Sequence, residues 1–344
     1  MTTSLFSLAF GIGTQNRKKN WLEVFYALPV ISPSTHLITQ ITQLLGYSGG
    51  NQSLSITNQQ ALLLSDQLKD INQEQSALLA RLAEGSTPLV ATLLEQDTAP
   101  TSTPEAYLKL HLLSHRLVQP HEINLSGIFT LLPNVAWTNK GAIDITELAA
   151  RQLEARLRGE LLDVFSVDKF PKMTDYIVPS GVRIADTARV RLGAYIGEGS
   201  TIMHEGFVNF NAGSAGPNMI EGRISSGVFV EKGSDLGGGC STMGTLSGGG
   251  EIIISVGSDC LIGANAGIGI PLGDRNTIEA GLYITAGTKV GLIDEQGNCL
   301  DIVKARDLAG IPDLVFRRNS QTGGVECRTQ KTTNELNHIL HSHN

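Results

Sequence analysis

Residues 178–208 read VPSGVRIADTARVRLGAYIGEGSTIMHEGFV, and in this stretch an aliphatic side chain returns at every sixth position: Val178, Ile184, Val190, Ile196, Ile202 and Val208. The frame breaks through a polar, glycine-rich stretch (209–218) and resumes at Ile224, Val230 and Leu236. It breaks again, returns at Val256, Ile262 and Ile268, and after a four-residue step runs through Leu272, Ile278, Ile284 and Val290. Four residues after many of these aliphatics stands a small or β-branched residue: Ala194, Ser200, Val228, Ser234, Cys260, Ala266, Thr288. A six-residue period fits neither an amphipathic helix nor an alternating strand; it is the pattern of hexapeptide β-helices. Each hexad supplies one short strand and a corner. The aliphatic points inward, the small residue fits near the corner, and Gly or Asn takes the left-handed backbone angles there. Three hexads close one triangular coil, and parallel strands of successive coils pair above one another. The two breaks read as loops thrust out of the coil, where chemistry can be placed without disturbing the stacking.

The expected fold is therefore mainly β: a left-handed parallel β-helix over 171–300, preceded by an α/β domain over 1–170 and followed by a C-terminal extension over 301–344. In the first segment Trp21–Val30 reads as a strand. Leu64, Leu68, Ile71, Leu78 and Leu82 form a helical stripe closed by Gly85 and Pro88. Ser102 to Glu105 is a capping box opening a helix that Pro120 stops, and a further helix spans about 144–164 with Leu148, Leu153, Leu157 and Leu161 along it. The extension carries Lys304, Arg306 and the run LVFRRNS (314–320), with a final helix expected over 332–341. Gly11-Ile12-Gly13 falls short of a dinucleotide fingerprint, and the chain has no Walker A motif.

Composition narrows the partners. A formal charge of −7 argues against nucleic acid or an anionic membrane surface, both of which call for a concentrated basic face. No apolar run reaches the roughly 18 residues of a membrane span, and MTTSLFSLAF lacks a basic region before its short apolar stretch, so the expectation is a cytoplasmic protein. Cys240, Cys260, Cys299 and Cys327 are widely spaced with no CxxC pair and are expected to be reduced, Cys260 in the core.

At MHEGFVNFNAG (203–213), EGRISSGV (221–228), GGGCSTMGTLSGGG (237–250), EAGLYITAGTKV (279–290) and FRRNS (316–320) the chain resembles the tetrahydrodipicolinate N-succinyltransferase family, in its longer bacterial branch. The resemblance extends to SLFSLAFGIGTQN near the start. These motifs are more specific than the hexads, which alone place a chain only in an acyltransferase-rich superfamily that also holds sugar acetyltransferases and a zinc carbonic anhydrase. The resemblance implies a homotrimer with active sites between neighbouring β-helices, succinyl-CoA as co-substrate, and tetrahydrodipicolinate as acceptor, giving N-succinyl-2-amino-6-oxopimelate and CoA on the route to diaminopimelate and lysine. It implies Glu221 as the catalytic glutamate. Arg223, Gly238, Ser241, Ala264, Glu279, Ala280, Gly287, Lys304, Arg317, Arg318, Asn319 and Ser320 match positions lining the CoA site. Glu205 matches an acidic position that holds a divalent cation, Mg2+, on the trimer axis. Ala188 stands where some relatives carry a second acidic ligand, which argues against a bound cation and makes any cation there structural rather than catalytic.

Moving an acyl group from a thioester to an amine requires removal of a proton and stabilisation of an oxyanion, for which a carboxylate and aimed backbone N–H groups suffice. Glu221 can be the base toward the amine, the base toward a water that opens the cyclic imine, or a nucleophile forming a mixed anhydride. The alternative for Glu221 is a loop glutamate paired with Arg223. The glycines at 237–239 and 248–250 let backbone approach the thioester and are candidate oxyanion donors. Lys172, Arg183, Arg189 and Arg191 are candidates, by charge, for the acceptor's carboxylates. His204, the one histidine in the repeat, is the rival base, and one histidine is too few for a zinc hydratase. Two other readings stand beside this one: an acetyl-CoA-dependent N-acetyltransferase, which needs no cation for a donor carboxylate, and a non-catalytic β-helix scaffold.

Overall fold

The computed structural model describes residues 4–244 and 252–329. Two compact units emerge, one formed by 1–112, 122–171 and 175–177, the other by 113–121, 172–174 and 178 onward. The expected loop at Gly248–Gly250 and the helix over 332–341 lie outside the described residues.

The second unit is built from hexads. Its chain visits three parallel sheets in turn, so each becomes one face of a coil. On the first face Ile184, Ile202, Ile220, Leu236, Ile262, Ile278 and Phe316 align in register. On the second, Val190, Val208 and Ile224 line up with Thr242, Ile268 and Ile284. The third carries Ile196, Ser214, Val230 and Val256. Nearly all of these are fully buried, as are the corner residues Ala194, Ser200, Val228, Ser234, Cys260 and Ala266. Left-handed corners recur in columns. Asn211 (φ 50°) donates its N–H to the Gly193 carbonyl and accepts that of Gly227; Asn265 (φ 55°) sits between Gly238 and Gly281 in the same way, the second contact running from Gly281 to Ala264. Asn reaches these angles because its short amide tolerates them.

Two expectations are corrected. Val178 is 65% exposed and Ile184 only half-buried, so the coil begins later than the hexads do. Residues 209–218 are not an extruded loop: Ala212–Ser214 is a strand paired on both sides, and the frame continues through Ser214 and Ile220 before a four-residue step to Ile224. Ser214 is tolerated in the interior because Ser200 Oγ lies 3.1 Å away and Asn218 Nδ2 donates to it at 2.6 Å. The run 314–320 extends the same ladder. Leu314–Arg318 adds a rung to the first face, then pairs antiparallel with Val325–Thr329; the latter joins the hairpin of Lys289–Ile293 and Cys299–Lys304. Residues 113–121 also belong to this unit: Ser114 Oγ donates to Ala194 O, Arg116 Nε to Ile196 O, and a His121 ring nitrogen lies 2.8 Å from Gly227 O.

The first unit is an antiparallel sheet in the order Trp21–Phe25, Ser7–Gln15, Leu89–Leu94, Gln52–Ile56. Its core is closed by Leu37, Ile38 and Ile41 from one helix and Leu64, Leu68 and Leu79 from two others. The expected single stripe from Leu64 to Leu82 is two helices, Asn58–Leu68 and Gln73–Leu82, because the Asn72 side chain accepts the Gln75 N–H and starts the second. Ser102 opens Thr103–Ser114 by accepting the Glu105 N–H, with Glu105 reaching back to the Thr101 N–H, but the helix ends at Ser114, short of Pro120, and Arg116 (φ 61°) turns the chain. The strand from Trp21 ends at Phe25, and the helix from 144 ends at Leu157, where Gly159 (φ 72°) turns the chain. A three-stranded sheet, Gly141–Asp144, Val135–Thr138 and Val164–Asp168, flanks that helix. Among the described residues no helix is long and apolar enough to cross a membrane.

Leu236 is fully buried between Ile220 and Ile262, so Leu236→Ala should destabilise the coil by about 2–5 kcal/mol through lost contacts and a cavity. Val178→Ala, on an exposed side chain, should stay within about 0.5 kcal/mol, and chemical denaturation of both variants checks the contrast.

Candidate active site

The register of the first face decides which residues meet. Because Ile220, Leu236, Ile262, Ile278 and Phe316 stack, so do the residues that follow them: Glu221, Gly237, Gly263, Glu279 and Arg317, then Gly238, Ala264, Ala280 and Arg318, whereas the shorter corner after Glu221 brings Gly222 against Cys240. Backbone bonds from Glu221 N to Leu236 O, Gly237 N to Ile262 O, Gly263 N to Ile278 O and Glu279 N to Phe316 O hold the column at 2.8–3.0 Å per step. Residues scattered over about a hundred positions of sequence thus form one outward file down a corner of the coil.

Within it the glycines have different reasons. A Cβ on Gly237 would lie 2.8 Å from Ile262 O, so stacking alone forbids a side chain. At Gly238 a Cβ would meet only Glu221 Oε2, at 3.5 Å; this glycine keeps the space beside that carboxylate open. The expectation that the whole 237–239 loop offers N–H groups narrows to one. Gly237 N–H is bound to Ile262 O and Gly239 N–H to Glu221 O, whereas that of Gly238 has no partner among the described residues.

Glu221 is half-buried and has no ion pair among the described residues. Arg223, two residues on and past the corner, turns instead to Ser241, its Nη2 donating to Oγ at 2.5 Å across adjacent strands of the second face. The pairing of Glu221 with Arg223 is therefore not formed. Cys240 lies buried behind the corner, and burial pushes its thiol up to about 12, so it offers no thiolate. His204 is exposed beside the similarly exposed Glu205.

At the lower end of the file Glu279 Oε2 accepts the Arg318 N–H at 2.6 Å. Arg317 donates through Nε (3.0 Å) and Nη2 (2.8 Å) to Glu326 Oε2, and Asn319 Nδ2 donates to Glu326 Oε1 at 2.6 Å. These donors, Asn319 first, hold the Glu326 carboxyl below the usual glutamate range. Sequence reading missed Glu326; the signal was the TGG turn (322–324), which folds its strand back on FRRN. Ser320 is exposed at that turn, and Arg318 Nη1 donates to Gly323 O. Gly287 and Lys304 lie elsewhere, at the corner after the second face. Lys304 pairs with Lys289, the next residue Ala305 donates to Thr288 O, and a Cβ on Gly287 would meet open space.

Among the acceptor-binding candidates, Arg189 is already engaged with the carbonyls of Gly206 and Glu205, both at 3.0 Å, and Arg191 Nη1 donates to Asn209. Arg183 is exposed. Lys172 meets Arg191 in an isolated antiparallel bridge. Among the described residues no three of His, Cys, Asp and Glu converge as metal ligands, so Glu205 within one chain does not make a metal site.

A model of the middle region of tetrahydrodipicolinate N-succinyltransferase matches residues 132–172, and one of the hexapeptide repeat of succinyl-transferase matches 253–286. The chain is 74% identical to a 2,3,4,5-tetrahydropyridine-2,6-dicarboxylate N-succinyltransferase of Pseudomonas aeruginosa over the full length of both chains. To the Vibrio cholerae enzyme of that name it is 56% identical, covering 98% of this chain and 99% of the other. A crystal structure from Campylobacter jejuni, described as a 2,3,4,5-tetrahydropyridine-2-carboxylate N-succinyltransferase, superposes with a TM-score of 0.86 at 31% identity, covering 94% of this chain and 92% of that one. The chain belongs to the tetrahydrodipicolinate N-succinyltransferase family.

Proposed function

We propose that this protein transfers the succinyl group of succinyl-CoA to the amine of tetrahydrodipicolinate, a step toward diaminopimelate and lysine, with Glu221 as the general base. The observation carrying the role of Glu221 is its carboxylate: half-buried, without a cationic partner among the described residues, and beside the one uncommitted N–H of the glycine loop. Water first adds across the C=N bond of the cyclic imine and turns its nitrogen into an amine; that nitrogen attacks the thioester carbonyl carbon while Glu221 takes its proton, and opening of the hydrated ring leaves the 6-oxo group. The oxyanion that forms accepts the Gly238 N–H, and collapse of the tetrahedral adduct expels the CoA thiolate. Ser241 and Arg223 flank this point. Glu279, Ala264, Ala280 and the Arg317–Ser320 run continue the file along which the CoA chain lies, and Lys304 and Gly287 border it from the next corner. We read the coil as a left-handed parallel β-helix whose hexads fall within the region 171–300, which follows the domain over 1–170 in the chain and precedes the extension over 301–344, the latter lending it one further rung. Three copies assemble with the file of each facing a neighbour. A divalent cation on the axis would have only Glu205 of each copy to hold it, since Ala188 adds no carboxylate, and the reaction needs none.

Release of free CoA should be rapid with succinyl-CoA and tetrahydrodipicolinate, at least about a hundredfold slower with Glu221→Gln, in line with loss of a general base, and slow with acetyl-CoA. Equal turnover with acetyl-CoA would move the chain to the acetyltransferase reading, and no turnover with either donor would leave the scaffold reading.

Glu326 sets a pH window for the donor end of the file. Its carboxyl is depressed in the folded state, so the stability it lends the 314–329 hairpin is complete above the ordinary glutamate range and is lost as pH falls through the lowered value. Glu326→Gln should therefore raise KM for succinyl-CoA severalfold at pH 7 with kcat little changed. An unchanged KM would show that the cluster does not support the donor site.

A further inference from the structure

In the first unit, away from the corner file, a cavity of about 410 Å3 opens beside the strands Ser7–Gln15 and Trp21–Phe25 and the hairpin 135–144. Both charged side chains in its wall, Glu23 and Asp175, are acidic; among the described residues no lysine, arginine or histidine lines it. Four aromatic rings complete the wall: Phe25, Trp137, Phe165 and Tyr176. Trp137 is 8% exposed and has its indole N–H engaged with Asp168 O at 3.0 Å, which fixes the ring against the cavity. Phe25 and Tyr176 lie tilted at 34° to each other with centroids 6.3 Å apart.

Glu23 is held in place from two sides. Its Oε1 accepts the Thr14 N–H at 2.8 Å and its Oε2 accepts the Tyr176 hydroxyl at 3.1 Å, yet it forms no ion pair among the described residues. Burial, the largest influence, pushes its carboxyl above the usual range in spite of these bonds. A carboxylate oriented by neutral donors, set in an aromatic-walled cavity, lacks only a counter-charge. Ammonium groups combine favourably with both elements, by charge-assisted hydrogen bonds to the carboxylate and by attraction to the ring faces.

We propose that this cavity is a binding site for a small primary ammonium compound, with Glu23 as its counter-charge and Trp137, Phe25 and Tyr176 as its walls. The site lies wholly within the first unit and does not depend on the acyl-transfer reading. The alkyl part of the ligand lies against Phe165, which is 64% exposed at the cavity.

The chain has two tryptophans, Trp21 and Trp137, so full-length protein carrying Trp21→Phe reports on the cavity through Trp137 alone. Titration with n-butylammonium chloride at constant ionic strength should give a saturable fluorescence change that n-butanol does not reproduce. Glu23→Gln should weaken it at least about tenfold, and Phe165→Ala, on an exposed side chain, severalfold. An equal response to butanol, a change that never saturates, or unchanged affinity in Glu23→Gln would overturn the assignment. Should Glu23→Gln fail to fold by circular dichroism, unchanged affinity in both Phe165→Ala and Asp175→Asn would overturn it as well.

Discussion

Everything at the candidate site rests on the parallel ladder of the first face. Each coil donates backbone N–H groups to carbonyls of the next, and a slip of one residue would turn the inward aliphatics outward. The buried series from Ile202 to Phe316 makes that slip costly. The same constraint fixes Glu221 over Gly237, Gly263, Glu279 and Arg317. Hydrophobic burial inside the coil is thus what aligns polar groups outside it. The side chains of the file need few contacts with one another to stay in line, which leaves Glu221 without an ion pair and Gly238 with an uncommitted N–H among the described residues.

Polar neighbours then refine what the ladder places. Arg223 is drawn to Ser241 on the second face, and Arg317 and Asn319 converge on Glu326. In both cases a cation is oriented by a neutral or acidic partner of the same chain. Arg317 is consequently less available as a free phosphate ligand than its place in a basic run implies, and its planar group is presented in one fixed direction.

The hexads made most of the second unit legible, because an inward aliphatic at a fixed interval leaves a mark in a single sequence. Legibility failed where the rule was met by other chemistry. Ser214 occupies an inward position through bonds to Ser200 and Asn218, so a continuous coil looked like a loop. The step from Ile220 to Ile224 shortens one turn and shifted the apparent frame. Of the site, Glu221, Gly238 and the residues stacked on them lay in recognisable motifs, whereas Glu326 did not, since its partners are brought to it by an antiparallel return that hexad counting does not foresee. The segment 113–121 was likewise unreadable: it joins the coil through Ser114, Arg116 and His121, three polar contacts without periodicity.

A stack of identical rungs has no built-in reason to stop, and an exposed final rung would accept the first rung of another molecule as readily as its own. Here the direction of the chain reverses at the end. After Leu314–Arg318 the first face continues antiparallel into Val325–Thr329, and its outermost strand, Cys299–Lys304, is itself antiparallel to its neighbour. The opposite edge is the two-residue strand Arg183–Ile184. Among the described residues a long mixed edge and a very short parallel one do not match, so on this face the two ends offer each other no continuous ladder.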